Sequence, residues 1–399
     1  MEFILILILL AVAMKFVSEV SKESLHMVQL EGYDPEHYKK WLDNNKERAY
    51  SLKKSNQPVK KPLVFTQRAT RVYRVNLLVS TILMIVPIII FYLVPNALSF
   101  SIFLVLLVLL EYLLIKLQPL IMYLSTNIMK PVENKINMGF YISAKDKIKG
   151  REDLEVIGIT GSFGKTSTKV IVSTILSEKF NVLRTPESFN TPMGLSKVIN
   201  NDLQPEHEVF VAELGAKVIG EIRETAQLVQ PRIGVLTSIG PCHLETFKNI
   251  DNIAKTKYEL IEELPTDGVA IFNYDNEYIK KLADKTFKEK MLYGLEESEK
   301  LDMYADNILV SELGSTFTLK DKEGNSIVCT TKLLGKHNIY NILAGACVAK
   351  TLGLTFEEIQ RGISRIEPIE HRLNIINPGT GIIIIDDAFN SNPIGSKAA

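Results

Sequence analysis

The chain has 399 residues, which is enough for two or three domains with hydrophobic cores of their own. Lysines plus arginines number 46, and aspartates plus glutamates also number 46, so the net charge of zero does not indicate a nucleic-acid partner. The three cysteines, Cys242, Cys329 and Cys347, are widely spaced and odd in number, which argues against a disulfide framework and is typical of a reducing compartment.

The first predicted element is an apolar segment at residues 3–17. It is shorter than the roughly 20 residues that span a bilayer comfortably. Residues 11–13, Ala-Val-Ala, resemble a signal-peptidase site, but Glu2 precedes the apolar run where a signal peptide has lysine or arginine. We therefore interpret the segment as an uncleaved membrane anchor, with a cleaved signal peptide as the alternative.

Two full-length apolar segments follow at residues 76–95 and 97–117, joined by a minimal link at Pro95 and Asn96. Apart from Glu111 they carry almost no charge until Lys116, which predicts a transmembrane hairpin rather than buried helices of a soluble domain. Basic residues flank the hairpin on both sides: Lys53, Lys54, Lys60, Lys61, Arg68, Arg71 and Arg74 before it, and Lys116, Lys130, Lys135, Lys145 and Lys147 after it. The positive-inside rule therefore places both flanks in the cytoplasm of a multi-pass protein of the cell membrane.

A glycine-rich turn joins an apolar run at residues 154–159 to a helical pattern at residues 168–176. A strand that breaks on glycines into a helix surrounds an anion with backbone N–H groups and the positive end of the helix dipole. Gly161 and Gly164 permit the close approach that phosphates need, Lys165 is placed to contact terminal phosphates, and the Thr166 hydroxyl is placed to bind magnesium. Ile159 occupies a position where the usual spacing has glycine, and an ordinary glycine-rich turn is the alternative. We predict a nucleotide site.

From residue 152 onward, short β-rich runs alternate with helical patterns, which predicts an α/β fold with a mostly parallel sheet wrapped by helices. The runs lie at residues 208–213, 233–238 and 268–273. Residues 301–332 are predicted as a strand-rich insertion, residues 338–352 as a helix, and residues 382–386 as the buried strand of a new unit.

Composition divides the chain into four parts. Residues 1–125 are predicted to form a membrane anchor region, within which residues 18–75 are a cytoplasmic loop. Residues 126–150 are predicted as a juxtamembrane helix or linker. The parallel-sheet domain with the nucleotide site covers residues 151–368, and residues 369–399 begin a further domain.

Polar side chains follow the predicted parallel strands, at the sheet edge where open α/β sheets bind ligands. Glu213 ends one strand and is a candidate magnesium ligand, with a helix cap or surface acid as the alternative. His243 follows the next strand, and Cys242 lies beside it without the further cysteines or histidines of a zinc site. Lys257 lies on an amphipathic helix, where a solvated lysine is the alternative reading.

Eight motifs that occur in order between residues 156 and 399 resemble those of the Mur ligase family, ATP-dependent enzymes that join amino acids or peptides to the peptidoglycan precursor. They are Thr160-Gly-Ser-Phe-Gly-Lys-Thr-Ser167, Ser188-Phe-Asn-Thr-Pro-Met-Gly194, Ala212-Glu-Leu-Gly-Ala216, Gly240-Pro-Cys-His-Leu-Glu245, Ala254-Lys-Thr-Lys257, Gly335-Lys-His-Asn-Ile-Tyr-Asn341, His371-Arg372 and Asp386-Asp-Ala-Phe-Asn-Ser-Asn-Pro393. The last motif and the Glu-Leu-Gly-Ala stretch look most like the branch that adds D-alanyl-D-alanine to the UDP-muramoyl tripeptide.

The resemblance implies ATP and magnesium as cofactors, and it assigns roles to single residues. ATP-binding positions are Gly161, Ser162, Gly164, Lys165, Thr166, Ser167, Asn338, Asn341, Arg372 and Asp387, of which the two asparagines match the adenine side. Magnesium ligands are Thr166, Glu213, His243 and Lys257, the last as a carbamylated lysine, and the catalytic residues are Lys165, Lys257 and His243. The implied fold is α/β: a P-loop parallel-sheet ATPase domain, preceded by transmembrane helices and followed by the start of a Rossmann-like domain.

The implied reaction forms an amide bond through an acyl phosphate, between a UDP-linked muramoyl peptide and an amino acid or dipeptide, in a cytoplasmic catalytic domain. Two departures from the family are expected to matter. Membrane segments occupy the place of the soluble domain that binds the UDP end, and residues 369–399 cover only the first part of the C-terminal domain, so a fragment is expected. Phe389 also replaces the usual tyrosine. Alternative functions are a Mur-type ligase for another carboxylate and amine, or a membrane-anchored nucleotide-binding scaffold; the oligomeric state is left open.

Overall fold

The computed structural model describes residues 2–51, 62–94, 99–370, 372, 374–376 and 384–386. Within these, the chain divides into two compact units, Met1–Met138 and Gly139–Ala399. The predicted link at Pro95 and Asn96, the residue Asp387 and most of the last predicted motif lie outside the described residues.

The first unit is helical. Its elements are α1 (Glu2–Leu30), α2 (Pro35–Asn44), α3 (Lys46–Ala49), α4 (Gln67–Leu93), α5 (Phe100–Lys116) and α6 (Gln118–Lys149), of which α6 continues into the second unit. Side-chain caps begin several of them: Asp34 accepts hydrogen bonds from the backbone N–H groups of Glu36 and His37, and Thr66 accepts one from that of Ala69.

Two helices of this unit, α1 and α4, are long and apolar enough to cross a membrane by length and composition. A third crossing is present if α5 and α6, which meet at a bend of 66°, form one span. Large apolar side chains such as Phe3, Leu78 and Val105 are exposed on these helices.

The predicted apolar segments 3–17 and 76–95 are shorter than the observed helices, because α1 continues to Leu30 and α4 already begins at Gln67. The helices α2 and α3 lie within the predicted cytoplasmic loop 18–75, whose location stays a prediction. The helix α1 continues because Leu25 and Val28 carry its buried stripe past the apolar segment, where they pack with Tyr38 and Val72. Polar residues also face inward here: Ser21 donates to Asn76 Oδ1 at 2.8 Å, and all of these side chains are buried.

The second unit contains a nine-stranded sheet and a separate two-stranded sheet. The strands are β1 (Glu155–Thr160), β2 (Val182–Arg184), β3 (Val209–Glu213), β4 (Ile233–Leu236), β5 (Val269–Asn273), β6 (Lys290–Gly294), β7 (Met303–Ser311), β8 (Gly314–Asp321), β9 (Ser326–Thr331), β10 (Asn374–Ile376) and β11 (Ile384–Asp386). The helices are α7 (Lys165–Leu176), α8 (Pro192–Asp202), α9 (Glu221–Val229), α10 (Leu244–Phe247), α11 (Ile250–Glu262), α12 (Glu277–Lys285), α13 (Lys336–Thr351) and α14 (Phe356–Ser364).

The large sheet has the order β2-β3-β1-β4-β5-β6-β7-β8-β9, and its strands from β2 to β7 are parallel. This confirms the predicted α/β fold with a parallel sheet. The strand-rich segment 301–332 is not an insertion, however. Its first strand pairs in parallel with β6, with Tyr293 opposite Met303, and β8 and β9 then extend the same sheet in antiparallel order.

The central strands are apolar throughout because both faces of the sheet are covered. Along β1, Ile157 and Ile159 belong to the core under α7, α13 and α14, whereas Val156 belongs to the opposite core with α9 and α11. The strand β3 alternates in the same way, with Val211 on the first side and Phe210 on the second.

The strand predicted at residues 382–386 is observed as β11 over its second half, paired antiparallel with β10. Ile375 lies opposite Ile385 in this two-stranded sheet. That it begins a Rossmann-like domain stays a prediction.

Candidate functional site

The loop of residues 161–164 lies at the point where the strand order of the sheet reverses. The strand β1 precedes it and is flanked by β3 on one side and β4 on the other. The connections that leave these strands run in opposite directions across the sheet, which opens a crevice at their carboxyl ends. The helix α7 begins in that crevice at Lys165.

Two glycines of this loop are required by contacts with other segments. A Cβ on Gly161 would lie 2.1 Å from Thr237 Oγ1. Gly164 has a φ of +82°, in the left-handed region that disfavours other residues, and a Cβ there would lie 2.9 Å from Asn341 Oδ1. The glycine-rich turn is therefore part of a packed structure and not an ordinary surface turn.

Hydrogen bonds to the segment after β4 hold the loop in place. Ser162 N donates to Ser238 O at 2.7 Å, and Phe163 N donates to Ser238 Oγ at 3.1 Å. The Ser162 hydroxyl donates to Gly240 O at 2.9 Å. These bonds use the early N–H groups of the loop, while the first N–H groups of α7 have no partner within the helix and are available for an anion.

An open cleft of about 430 Å³ lies in front of the loop. Its walls are formed by Ser162, Phe163, Gly164, Lys165, Thr166, Ser188, Asn190, Thr191, Pro192, Glu213, Gly215, Ala216, Lys217, Glu221, His243 and Arg372. The fold thus brings together seven of the predicted site residues, from Ser162 to Arg372, around one cavity. Gly161 lies directly behind the wall, and Ser167 is buried in the first turn of α7.

The side chain of Lys165 folds back over the loop that precedes it. Its ammonium donates to Gly161 O at 2.8 Å and to Ser162 O at 3.2 Å. Burial lowers the pKa of Lys165, and the Glu213 carboxylate opposes that shift. A lysine ammonium has three donors, so one remains for a ligand in the cleft.

Glu213 lies at the end of β3 and is only 1% exposed. Its Oε2 accepts a bond from Lys169 Nζ at 3.1 Å, and its Oε1 accepts one from Asn190 Nδ2 at 2.9 Å. Burial lowers the pKa of Lys169, and Glu213 opposes this. Sequence reasoning missed Lys169, although it follows Lys165 by four residues and so lies on the same face of the helix.

His243 lies at the N-terminus of α10 with a φ of +47°, and its side chain is exposed toward the cleft that it lines. Desolvation lowers the pKa of His243, and the charges of Lys217 and Lys257 lower it further. The neutral imidazole that results is the form that binds a metal ion.

Lys257 is buried in α11 with 2% of its surface exposed, so the alternative of a solvated lysine is wrong. Burial lowers the pKa of Lys257 to about 8, with repulsion from Lys165 adding to the shift. The neighbouring acids have other partners: Glu259 accepts from Gly220 N and Arg223 N, and Glu262 pairs with Arg223. Lys257 does not line the cleft itself.

Asn338 and Asn341, predicted on the adenine side, lie in the first turns of α13 and outside the cleft walls. Asn341 Oδ1 accepts a bond from Thr168 Oγ1 at 3.0 Å, and Asn341 Nδ2 donates to Asn338 Oδ1 at 3.2 Å. Asn338 Nδ2 donates to Leu334 O at 2.9 Å. In this arrangement the two asparagines join α13 to the helix that follows the glycine loop, and their contact with a nucleotide stays a prediction.

Arg372 is the one residue of the last predicted unit that reaches the cleft within the described part of the chain. Its Nη2 donates to Thr166 Oγ1 at 3.3 Å. Asp387, predicted beside it at the nucleotide, lies outside the described residues.

The side chains around the cleft are suitable ligands for a magnesium ion that is also bound to a phosphate. Thr166, Glu213 and His243 line the same cavity. Among the described residues, no three histidine, cysteine, aspartate or glutamate side chains converge as a ready metal cage. Magnesium in nucleotide sites is usually held by one or two protein ligands together with phosphate oxygens and water, so this sparse set is suitable.

The sheet and the cleft define a known class of domain. Residues 159–349 match the family model of the Mur ligase middle domain. This part of the chain is therefore similar to Mur ligase middle domains, and its glycine loop lies at the start of the match.

Particular relatives share this region. The chain is 34% identical over 244 residues to the UDP-N-acetylmuramoyl-tripeptide–D-alanyl-D-alanine ligase of Escherichia coli strain K12, a match over 61% of this chain and 53% of that protein. MurF from Acinetobacter baumannii superposes with a TM-score of 0.62 at 30% identity, over 66% of this chain and 56% of that one. The MurF ligase from Thermotoga maritima, solved in complex with ADP, superposes with a TM-score of 0.60 at 26% identity, over 66% and 59%. The chain therefore spans about half the length of the curated relatives that it matches.

The buried hydrogen bond between Thr168 and Asn341 is expected to stabilise the folded protein. Asn341→Ala removes the acceptor of a buried hydroxyl, and an unsatisfied buried polar group costs about 1–3 kcal/mol. We expect a lower midpoint of thermal unfolding, measured by circular dichroism. Thr168→Val leaves the Asn341 amide oxygen without its donor and should cost a similar amount, whereas the double variant should lose less than the sum of the two.

Fully additive losses would contradict a direct bond between Asn341 and Thr168. Loss of nucleotide affinity in Asn341→Ala at unchanged stability would instead place the asparagine in contact with the nucleotide.

Proposed function

We propose that this protein is an ATP-dependent ligase that forms an amide bond on a peptidoglycan precursor, adding D-alanyl-D-alanine to UDP-muramoyl tripeptide. The observation that carries the proposal is the cleft in which the glycine loop, Lys165, Thr166, Glu213 and Arg372 meet. The similarity to ligases of that name and the ADP complex of the Thermotoga maritima relative support it.

The cleft is built for a polyphosphate. The N-terminus of α7 offers backbone N–H groups and a partial positive charge to an anion. Lys165 retains one donor for a terminal phosphate, and the Arg372 guanidinium lies within hydrogen-bond distance of Thr166 on the same wall. We therefore infer that ATP binds with its phosphates on the glycine loop.

In the proposed reaction, an oxygen of the substrate carboxylate attacks the γ-phosphorus of ATP, and the bond to ADP breaks. The acyl phosphate formed is then attacked by the amine of the second substrate, which releases inorganic phosphate and a proton and leaves an amide. Two anions must approach each other in the first step, and Lys165 and Arg372 reduce their repulsion. A bound magnesium ion would add positive charge at the same phosphates.

Lys257 is proposed to be carbamylated. Its low pKa of about 8 leaves an appreciable fraction of the free amine near neutral pH, and that amine is the form that reacts with carbon dioxide. Among the described residues, its ammonium has no hydrogen bond or ion pair, and it lies 6.0 Å from the centroid of the Phe247 ring, so the buried positive charge is only weakly compensated. Conversion to a carbamate would replace this cation with an anion able to bind magnesium.

The helical unit is proposed to anchor the protein in the cell membrane as a multi-pass segment. The support is the length and apolarity of α1 and α4, together with the basic residues on both sides of the predicted hairpin. The catalytic domain then lies in the cytoplasm, where ATP and the UDP-linked precursor are available. The membrane and the two ligated substrates are the proposed partners.

Phosphate release by the full-length protein tests the ligase function. Release is expected only when ATP, UDP-muramoyl tripeptide and D-alanyl-D-alanine are all present. Lys165→Ala should lower the rate about 100- to 1,000-fold, the usual effect of removing one preorganised donor. Lys179→Ala is the matched control, because this exposed lysine donates only to Gly353 O and does not line the cleft.

Wild-type turnover by Lys165→Ala would overturn the assignment of the cleft. Release that needs a different carboxylate or amine would identify another substrate pair, and ATP binding without any release would favour the scaffold.

A second prediction concerns Lys257. Lys257→Ala should lower ligation, and added acetate should restore part of it by supplying a carboxylate in place of the carbamate. Nuclear magnetic resonance with isotope-labelled bicarbonate should show a carbamate signal in the wild type and lose it in this variant, whereas Lys255→Ala on the same helix should keep it. Equal activity of Lys257→Ala and wild type would contradict the role.

A third prediction concerns topology. Single cysteines at the exposed positions Lys46 and Ser326 should resist an impermeant maleimide in intact cells and react after permeabilisation. Cys242→Ser removes the partly accessible native thiol from the background. A cysteine at Asn96, in the predicted link of the hairpin, should react in intact cells. Labelling of position 46 or 326 from outside would refute the cytoplasmic placement.

A further inference from the structure

A buried ion pair lies behind the cleft wall. Lys169 is 1% exposed, as is Glu213, and the ammonium of the lysine lies 3.1 Å from Glu213 Oε2. Lys169 also donates to Glu187 O. It does not line the cleft, so a nucleotide there would not touch it.

The second oxygen of the same carboxylate is held from another direction. Asn190 Nδ2 donates to Glu213 Oε1 at 2.9 Å, and the backbone of Asn190 accepts a bond from Gly215 N at 2.9 Å. A Cβ on Gly215 would lie 2.7 Å from the Asn190 amide carbon, so this contact depends on glycine. The helix α7, the loop before α8 and the end of β3 therefore meet at one carboxylate.

This arrangement has an energetic reason. A carboxylate removed from water is strongly unfavourable unless a cation and hydrogen bonds compensate it. Lys169 is the cation within bonding distance of Glu213 in the described structure. A carboxylate has about four lone-pair sites, and the two bonds described leave capacity for a further cation on the cleft side.

We propose that Lys169 is a positioning residue, a fixed internal counter-ion that holds the Glu213 carboxylate at the cleft wall, where it receives the magnesium ion that accompanies ATP. Asn190 fixes the other oxygen and so sets the rotation of the group. The proposal rests on the proposed function, since it takes Glu213 as a magnesium contact. Without the ammonium, only the Asn190 bond would hold the carboxylate, and its charge would be buried without a paired cation, so we expect weaker binding of the metal.

The test measures the magnesium concentration at which binding of a fluorescent ATP analogue to the full chain is half-maximal, so it does not depend on ligation. Lys169→Met removes the charge at nearly constant length and should raise that concentration about tenfold. Lys169→Arg keeps the charge and should raise it by less than about threefold. Glu213→Gln should behave like Lys169→Met, and the double variant Lys169→Met/Glu213→Gln should show no further rise.

A matched control is Lys179→Met, which changes an exposed lysine just after the same helix and should leave the magnesium requirement unchanged. Binding of the analogue in the presence of a chelator should change less than twofold in Lys169→Met, because Lys169 lies outside the cleft. A magnesium requirement in Lys169→Met that is unchanged, or lower than that of wild type, would overturn the proposal.

Thermal unfolding without nucleotide gives a second readout. Lys169→Met should unfold at a lower temperature than wild type, and adding Glu213→Gln should recover part of the loss, because the unpaired carboxylate is then removed. The unfolding measurement tests the pairing even if Lys169→Met folds poorly. If Lys169→Met/Glu213→Gln is no more stable than Lys169→Met, the pairing of Lys169 with Glu213 is refuted. If wild type binds no nucleotide, the proposed function fails, whereas a failure of the variants alone leaves that function standing.

Discussion

The candidate site depends on one packing constraint, the close contact between the loop of residues 161–164 and the segment that follows β4. Thr237 and Ser238 press against this loop so closely that Gly161 has no room for a side chain. Asn341 closes the loop from the other side, against Gly164. Because hydrogen bonds to Ser238 and Gly240 and these close contacts hold the loop, the start of α7 is preorganised to receive an anion.

The charges around the cleft explain which anion suits it. Lys165, Lys217 and Arg372 line the cleft together with the carboxylates of Glu213 and Glu221. Two further lysines, Lys169 and Lys257, are buried close by, where Lys169 pairs with Glu213 and Lys257 interacts with Lys165. Such an excess of positive charge, partly removed from water, is compensated when a polyphosphate binds. A carbamate on Lys257 would convert one of these cations into an anion. The excess of positive charge would then be smaller, and a magnesium ion would be repelled less.

The helical unit differs from the sheet-containing unit in where its apolar side chains lie. Its helices expose large apolar side chains outward, while Ser21, Asn76 and Gln118 are buried between them. The interior also holds apolar side chains such as Leu25 and Val17, so it is the largely apolar exterior that differs from a soluble bundle. This apolar exterior and the helix length are the features on which the proposed membrane location of α1 and α4 rests.

The sequence by itself determined the elements whose signals are local. The parallel strands and the glycine loop between β1 and α7 follow from runs of neighbouring residues and were predictable to within a few positions. The apolar helices were predictable in existence but not in extent, since α1 ends at Leu30 and α4 begins at Gln67. The continuation of α1 beyond residue 17 was harder to predict, because the apolar residues of this amphipathic part are spaced and not contiguous.

Only the tertiary structure decided which side chains share the cleft and which support it from behind. Lys169 and Glu213 are 44 positions apart, and Thr168 and Asn341 are 173 apart, so their pairing depends on β3 lying beside β1 and α13 lying against α7. The sequence presents Lys257 as an ordinary lysine on an amphipathic helix, yet packing buries it and shifts its pKa. Burial and long-range pairing are properties of the packed sheet and its helices, and no local pattern of residues encodes them.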